Sequence, residues 1–295
     1  MAKLNLQGCG TALVTPFRNG AVDYDAFRAM VARQVKNGVD FLVPLGTTGE
    51  TPCLSDEERI QILKIAREEA DGRPVIVGGG TNSLNDTVAA MKTLEPYSPD
   101  AFLIVVPYYN KPTQEGIYQY FKAVASSTKK PIIMYNVPGR TGSNMTPATC
   151  LRLAAEVPNI IAIKEASGNY DQVSAIVRDA PRGFQVLSGD DDMTLAFMAT
   201  GAVGVISVAS NIAPKEVSNM THRMLKGDVK TARKLHHRLW PLFKACFVES
   251  NPVPAKAALA KMKLCANELR LPLVPATRET ERLMSKVVKE LIINY

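Results

Sequence analysis

The sequence has few of the residues and segments that mark secreted, metal-binding or membrane proteins. Only five of its 295 residues are cysteines, and they are scattered without a C-x-x-C pair, so neither a disulfide framework nor a zinc site is indicated. No apolar run approaches the roughly 18 to 20 residues of a membrane span, and the N-terminus lacks the apolar core of a signal peptide. We therefore expect a cytoplasmic protein with free thiols, no metal and no membrane partner.

Histidine and excess charge are also scarce. The three histidines all lie in the last quarter, at His222, His236 and His237, away from the residues considered below as a site. The net charge of +7 comes from basic residues spread along the chain, and no helix-turn-helix, zinc-finger or aromatic-basic RNA motif appears. We expect no nucleic-acid partner, because such a weakly positive surface suits small carboxylates better.

What the sequence does contain is an alternation of apolar runs and amphipathic segments, with a period of roughly 25 to 35 residues. The runs are predicted strands at residues 10–17, 41–46, 74–80, 101–109, 131–137, 160–166, 184–189 and 204–209. Because strands buried on both faces lose their polar alternation, eight such runs predict an α/β fold, a (β/α)₈ TIM barrel. A doubly wound open sheet is the alternative, but the first turn lacks G-x-G-x-x-G.

Several helix starts carry their own signals. Asp23 is a natural N-cap, Ser55 with Glu58 forms a capping-box pattern, and Thr146 precedes a first-turn proline. After the eighth strand, helical spacing continues over residues 230–247, 254–263 and 277–292 without further strands. We therefore divide the chain into a catalytic barrel at residues 1–226 and a C-terminal helical extension at residues 227–295.

One lysine, Lys164, lies inside the β-branched run of the sixth predicted strand. A buried ammonium is costly unless it is paired, neutralised or used, although a strand-end lysine can also reach water along its methylene stem. Alternation places Ala162, Lys164 and Ala166 on one face, so two small residues leave room beside the lysine. Because an unprotonated lysine is a nucleophile, this strand is a candidate pocket floor.

Other polar groups follow the C-terminal ends of predicted strands, where barrels of this type build their active sites. They are Thr47, Thr48, Tyr108, Tyr109, Tyr135, Arg140 and Asp190. Each has a simpler interpretation when taken alone. The tyrosines suit a barrel rim, and the triplet at residues 190–192 is typical of helix N-capping.

With no histidine nearby, proton transfer falls to tyrosine, threonine, lysine or water. A lysine nucleophile without metal ligands or a dinucleotide motif indicates imine chemistry on a carbonyl substrate, and the planar fork of Arg140 suits a carboxylate. The residues alone thus predict a metal-free class I aldolase or lyase acting on a keto acid.

Seven spaced motifs resemble the dihydrodipicolinate synthase (4-hydroxy-tetrahydrodipicolinate synthase) family, within the N-acetylneuraminate lyase group of class I aldolase barrels. They are G-T-T-G-E at 46–50, P-Y-Y-N-K-P at 107–112, Y-N-V-P-G-R-T-G at 135–142, I-K-E-A-S-G at 163–168, L-S-G-D-D at 187–191, G-V-I-S-V at 204–208 and N-P-V-P-A-K at 251–256. The resemblance covers essentially the whole chain. Arg140 and residues 165–168 favour the synthase over the sialic acid and sugar-acid lyases, which remain the alternative. A further alternative, outside the enzymes, is a non-catalytic sensor protein.

The resemblance implies a Schiff base between pyruvate and Lys164, with no cofactor. It implies Tyr135 as general acid/base, in a relay with Thr47 and with Tyr109 lent by a neighbouring subunit of a homotetramer. It further implies that Thr48 holds the pyruvate carboxylate and that Arg140 orients L-aspartate 4-semialdehyde. Backbone groups at Gly189 and Ile206 would line the pocket.

One departure concerns regulation. Lysine-inhibited relatives use a histidine or other specific side chains after G-T-T-G-E, whereas no histidine is present there in this sequence. The corresponding possible allosteric residues are Asp56, Arg59, Asn82, Asp86 and Tyr108. We expect weak or absent inhibition by lysine, and half-maximal inhibition at submillimolar lysine would contradict this.

Overall fold

The computed structural model describes residues 4–293 and contains a closed ring of eight parallel strands. These strands are β1 (Gly8–Ala12), β4 (Phe41–Val43), β5 (Ile76–Gly78), β6 (Ala101–Val105), β7 (Ile132–Asn136), β8 (Ile160–Glu165), β9 (Gln185–Ser188) and β10 (Gly204–Ser207). Each pairs with its neighbours in chain order, β10 returns to β1, and a parallel bridge between Leu42 and Val75 joins β4 to β5. The predicted TIM barrel is confirmed.

The first strand is shorter than its apolar run. It ends at Ala12 instead of continuing to Phe17, which pairs with Val22 in an antiparallel ribbon of β2 (Phe17–Arg18) and β3 (Ala21–Val22). Pro16 precedes this ribbon and has no N–H for a barrel ladder. An apolar run therefore marks burial here, not strand length.

Helices cover the outside of the ring. They are α1 (Tyr24–Lys36), α2 (Asp56–Glu69), α3 (Leu84–Leu94), α4 (Gln114–Ser126), the single turn α5 (Pro138–Thr141), α6 (Pro147–Glu156), α7 (Tyr170–Asp179), α8 (Thr194–Ala199) and α9 (Pro214–Leu225). The predicted caps are confirmed: Asp23 accepts from Ala26 N, Thr146 accepts from Thr149 N, and Ser55 and Glu58 form a reciprocal capping box. Among the described residues, no helix is long and apolar enough to cross a membrane.

Side chains separate into two apolar layers because strand residues alternate between faces. Ala162, Leu187 and Ile206 belong to the layer inside the ring, whereas Ile163 packs in the larger layer between sheet and helices. Lys164 is therefore on the inner face with Ala162, as the alternation predicts.

Three more helices follow α9: α10 (Val229–Ala245), α11 (Val253–Lys261) and α12 (Arg278–Ile293). α10 packs on α9, and α12 packs on both α10 and α11. This segment returns to the barrel through α11, whose residues 253–259 are buried. The division of the chain at residue 226 stays a prediction.

Candidate active site

A cavity of about 350 Å³ opens at the C-terminal ends of the strands. Its lining includes six of the residues predicted as catalytic or substrate-binding, which come from four different strand ends and one loop helix: Thr47, Thr48, Tyr135, Arg140, Lys164 and Gly189. The barrel topology thus brings together groups that are up to 142 positions apart in the chain.

Lys164 is 5% exposed and lies on the inner face of β8. Its Nζ is 4.2 Å from the centroid of the Tyr135 ring, and the two residues are register partners on adjacent strands. Among residues 4–293, no carboxylate lies within ion-pair distance of its ammonium. Lys164 is therefore a buried lysine without an ion-pair contact, next to a phenol and open to the cavity.

A second buried lysine, Lys256, has the opposite environment. It is 0% exposed, and its Nζ donates to Glu50 Oε1 at 2.5 Å and to the Glu268 carbonyl at 2.8 Å. Burial lowers the pKa of Lys256, while the Glu50 carboxylate opposes that shift. Because Lys256 is engaged and does not line the cavity, Lys164 is the lysine placed to react.

The Thr48 side chain is held from the C-terminal segment. Residues Thr47–Gly49 form a 3-10 turn after β4, in which Thr47 is exposed and Thr48 is 3% exposed. Asn251 Nδ2 donates to Thr48 Oγ1 at 2.9 Å. The Asn251 carbonyl also accepts from Arg140 at 3.2 Å. One asparagine therefore joins the two residues predicted to bind carboxylates.

Gly189 is needed for the shape of the pocket. A Cβ at this position would come within 2.6 Å of Ala166 Cβ and 3.0 Å of Lys164 Cε. Any larger residue would therefore displace Lys164 or its small neighbour Ala166.

The interpretation of residues 190–192 as helix caps is wrong. α8 starts after Met193 without a side-chain cap. Instead, buried Asp191 accepts from Ser207 Oγ and from the N–H groups of Val208 and Ala209, which fixes the end of β10. Thr194 N, at the start of α8, donates to the backbone carbonyl of Asp191 and not to its carboxylate.

Asp190 lines the cavity, where its Oδ2 accepts from Gly168 N at 3.1 Å. Burial, followed by the nearby Asp192 carboxylate, raises the pKa of Asp190 to about 6, with Lys164 acting in the opposite direction. The cavity thus holds a carboxyl that changes charge near neutral pH.

Four non-glycine residues around the mouth have backbone φ in the left-handed region: Leu45 (58°), Glu50 (52°), Tyr109 (69°) and Lys111 (44°). Such conformations cost of order 1 kcal/mol or more each and persist where surrounding contacts impose them, often at functional sites. No composition or periodicity pattern in the sequence marks these positions.

Two predicted residues are not brought into the cavity lining. Ile206 is 0% exposed in the inner core, while Val208, which directly follows β10, reaches the cavity. Tyr109 is 87% exposed, and its backbone N–H donates to the Thr141 carbonyl. Its side chain does not line the cavity of its own chain.

The possible allosteric residues are only partly assembled. Arg59 and Tyr108 line the cavity, and Arg59 also binds Asp56 at 3.0 Å. Asn82 and Asp86 lie outside the lining. Asn82 contributes its carbonyl as the acceptor for the Asn110 side chain.

Sequence reasoning missed three residues near the site. Asn251 was recognised only as part of a motif, although it contacts both Thr48 and Arg140. Asn136 and Glu165, the neighbours of Tyr135 and Lys164, are 0% exposed and hydrogen-bonded to each other. The available signal in the sequence was Glu165, a charged residue directly after Lys164. Its hydrogen-bond partner Asn136 could not be predicted from sequence spacing.

Comparisons with known proteins agree on one family. A model of the dihydrodipicolinate synthetase family matches residues 5–291. The chain is 48% identical over 288 residues to the 4-hydroxy-tetrahydrodipicolinate synthase of Thermotoga neapolitana, covering 96% of this chain and 98% of the relative. It is 49% identical over 295 residues to that of Parabacteroides distasonis, covering 99% of each.

Solved structures give the same result. The crystal structure of dihydrodipicolinate synthase from Thermotoga maritima aligns with a TM-score of 0.95 at 46% identity, covering 96% of this chain and 98% of that chain. A structure described as the first monomeric dihydrodipicolinate synthase variant also has a TM-score of 0.95 at 46% identity, covering 96% of each chain.

Proposed function

The chain belongs to the dihydrodipicolinate synthetase family, and from this premise we propose that it is a 4-hydroxy-tetrahydrodipicolinate synthase. It is a lyase-type enzyme of lysine and diaminopimelate biosynthesis, and its substrates are pyruvate and L-aspartate 4-semialdehyde. The observation that carries the proposal is Lys164, buried without an ion-pair contact and flanked by Tyr135 at the floor of the cavity. Nothing in the site favours the sialic acid or sugar-acid lyase alternative.

The chemistry proceeds through an imine. The unprotonated Nζ of Lys164 attacks the C2 carbonyl of pyruvate, and loss of water leaves a protonated imine. This cation withdraws electrons from C3, so a C3 proton leaves and an enamine forms. The enamine carbon attacks the aldehyde carbon of the second substrate, whose oxygen takes up a proton. Attack of an amine or water on C2 then releases the lysine.

Tyr135 is the group placed to move these protons. Its ring lies 4.2 Å from Lys164 Nζ, at the next strand of the barrel. Thr47, on the same mouth, relays the proton toward solvent together with the partner subunit's Tyr109. No metal or organic cofactor takes part, because the imine itself is the electron sink.

The two carboxylates have separate binding groups. Thr48 binds that of pyruvate, and the exposed guanidinium of Arg140 orients that of the semialdehyde. Asn251 fixes the separation between these groups, since its side chain binds Thr48 while its carbonyl binds Arg140. Gly189 and the backbone near Ile206 complete the pocket around pyruvate.

The proposed protein is a cytoplasmic homotetramer, and the exposure of Tyr109 supports the entry of this ring into the site of a neighbouring subunit. A tyrosine that is 87% exposed at the mouth, held in a left-handed conformation, is available to reach another chain. Lysine inhibits weakly or not at all, because the residues after G-T-T-G-E include no histidine. Half-maximal inhibition at submillimolar lysine would contradict that proposal.

Borohydride trapping with pyruvate, followed by mass mapping, tests the imine. We expect the adduct on Lys164, its loss in Lys164→Ala, and its retention in the surface control Lys261→Ala. Absence of an adduct on Lys164 overturns the imine mechanism. An adduct without turnover of L-aspartate 4-semialdehyde overturns the synthase activity and leaves the lyase alternative, which is assayed with N-acetylneuraminate and keto-deoxy sugar acids.

A further inference from the structure

The residues next to Tyr135 and Lys164 form a second register pair. On β7 and β8, Tyr135 is opposite Lys164, and Asn136 is opposite Glu165. Because successive strand residues face opposite ways, the first pair points into the barrel and the second points toward the helices. Asn136 and Glu165 are both 0% exposed.

The Glu165 carboxylate is unusual for a buried charge. Asn136 Nδ2 donates to its two oxygens at 3.1 and 3.2 Å, Ser167 N donates at 3.0 Å, and Gln172 Nε2 donates at 2.9 Å. Among the ion pairs of residues 4–293, none involves this carboxylate. Burial raises the pKa of Glu165, and the donors oppose the shift. Two side-chain amides and a backbone N–H therefore hold this carboxyl group without a cation.

The Asn136 amide extends the network to the loop after β7. Its Nδ2 also donates to Asn144 Oδ1 at 2.8 Å, and its Oδ1 accepts from Met145 N at 2.9 Å. Gln172 binds both Glu165 and Asn144. Two strand ends and the segments that follow them are thus tied to one carboxylate.

We propose that the Asn136–Glu165 pair is a positioning clasp that sets the geometry of Tyr135 relative to Lys164. A buried carboxyl group without a counter-ion is a poor source of stability. What Glu165 adds, compared with an apolar residue such as Ile163 on the same face of the strand, is the geometry of its hydrogen bonds. Since backbone neighbours move together, fixing the outer pair fixes the inner one. This inference rests on the proposed roles of Lys164 and Tyr135.

Substitutions of equal size can break the clasp selectively. Glu165→Gln keeps the shape but replaces one of the two oxygens that accept from Asn136 Nδ2 with an NH₂ group, and Asn136→Asp directs one carboxylate at another. The double variant Asn136→Asp with Glu165→Gln restores one donor–acceptor pair. Glu216→Gln is the matched control, since Glu216 is 8% exposed on α9 and does not line the cavity.

We expect each single variant to lose about 10- to 100-fold in kcat, because a misplacement near 1 Å can cost about 100-fold. The double variant should recover part of this loss. In a Tyr135→Phe background, Glu165→Gln should cost less than about threefold, since the group it positions is gone. An equal loss in kcat in the wild-type and Tyr135→Phe backgrounds overturns the clasp. So does a loss in kcat that only tracks a lower unfolding midpoint, to the extent measured for the control Glu216→Gln.

Crystal structures make the test independent of the proposed reaction. In Glu165→Gln, the separation between Lys164 Nζ and the Tyr135 ring should change from 4.2 Å by about 1 Å, the scale of misplacement that matters for catalysis. An unchanged separation overturns the clasp whatever the enzyme turns over. A wild-type protein that forms no pyruvate adduct but shows the changed separation in the variant overturns the proposed function alone.

Discussion

Lys256→Met should destabilise the protein strongly although the residue is outside the cavity. The Lys256 ammonium lies 4.1 Å from the centroid of the Phe17 ring. Methionine keeps an unbranched aliphatic side chain at this position but removes the donors to Glu50 and to the Glu268 carbonyl. Glu50 is then left 3% exposed, with the backbone N–H of Arg270 at 3.1 Å as its remaining donor. Removing one partner of a buried pair costs about 3–5 kcal/mol.

The remaining Arg270 hydrogen bond puts the expected loss near the lower limit, at about 3 kcal/mol of unfolding free energy. With a urea m value of about 3 kcal/mol/M for a chain of this size, the unfolding midpoint should fall by about 1 M. The measurement is urea denaturation followed by circular dichroism. Lys261→Met, at the exposed end of the same helix, should stay within about 0.5 kcal/mol of wild type.

A second variant separates charge burial from loss of packing. Glu50→Gln combined with Lys256→Met removes both charges while the amide still accepts from Arg270, so about 2 kcal/mol should return. A single-variant cost below about 1 kcal/mol, or a double variant no more stable than the single one, would refute the reasoning that an unpaired carboxylate causes the loss.

Three further predictions concern the cavity. Asp190→Asn should stabilise the protein by about 2–3 kcal/mol at pH about 8 and by almost nothing below pH about 4. The pKa of Asp190 is raised from its ordinary value of 3.8 to about 6, so the folded state loses stability as pH rises from about 4 to about 6. A pH-independent difference in denaturation midpoints would contradict this. Arg140→Ala should mainly raise KM for the semialdehyde in steady-state kinetics, whereas an effect confined to pyruvate would reassign the guanidinium. Tyr109→Phe mixed with Lys164→Ala should form hybrid oligomers with more turnover than either parent variant, and turnover equal to the average of the parents would argue against a shared site.

The sequence predicted most of the fold because burial and helix caps are local signals. Eight apolar runs gave the strand count, and Ser55 with Glu58 marked the start of α2 from a three-residue spacing. The predicted end of β1 at residue 17 was wrong. Leu13 to Phe17 are as apolar as the strand itself, but they lie outside the ring of strands. Local pattern reports burial and cannot distinguish the ring from the ribbon beside it.

The site was predicted only in part. The residues that were predicted differ for a physical reason from those that were missed. Lys164 stood out because a charge in an apolar strand is an anomaly within a single segment. Asn251 contacts Thr48 across 203 positions, and the partners of Asp191 lie 16 to 18 positions further along the chain, at and just after the end of β10. Spacing carries no information about such contacts, so capping was assigned to Asp191 and no role to Asn251.

The contacts of Asn251 and Lys256 also bear on the order in which a new chain forms its contacts. A ribosome that has released residues 1–226 has delivered all eight strands, Lys164 and Tyr135. The hydrogen bond to Thr48 and the ion pair to Glu50 still wait for residues 251 and 256, and the Arg270 amide that completes the environment of Glu50 comes later still. These contacts to Thr48 and Glu50 can therefore form only after the strands that carry Lys164 and Tyr135 have all been synthesised.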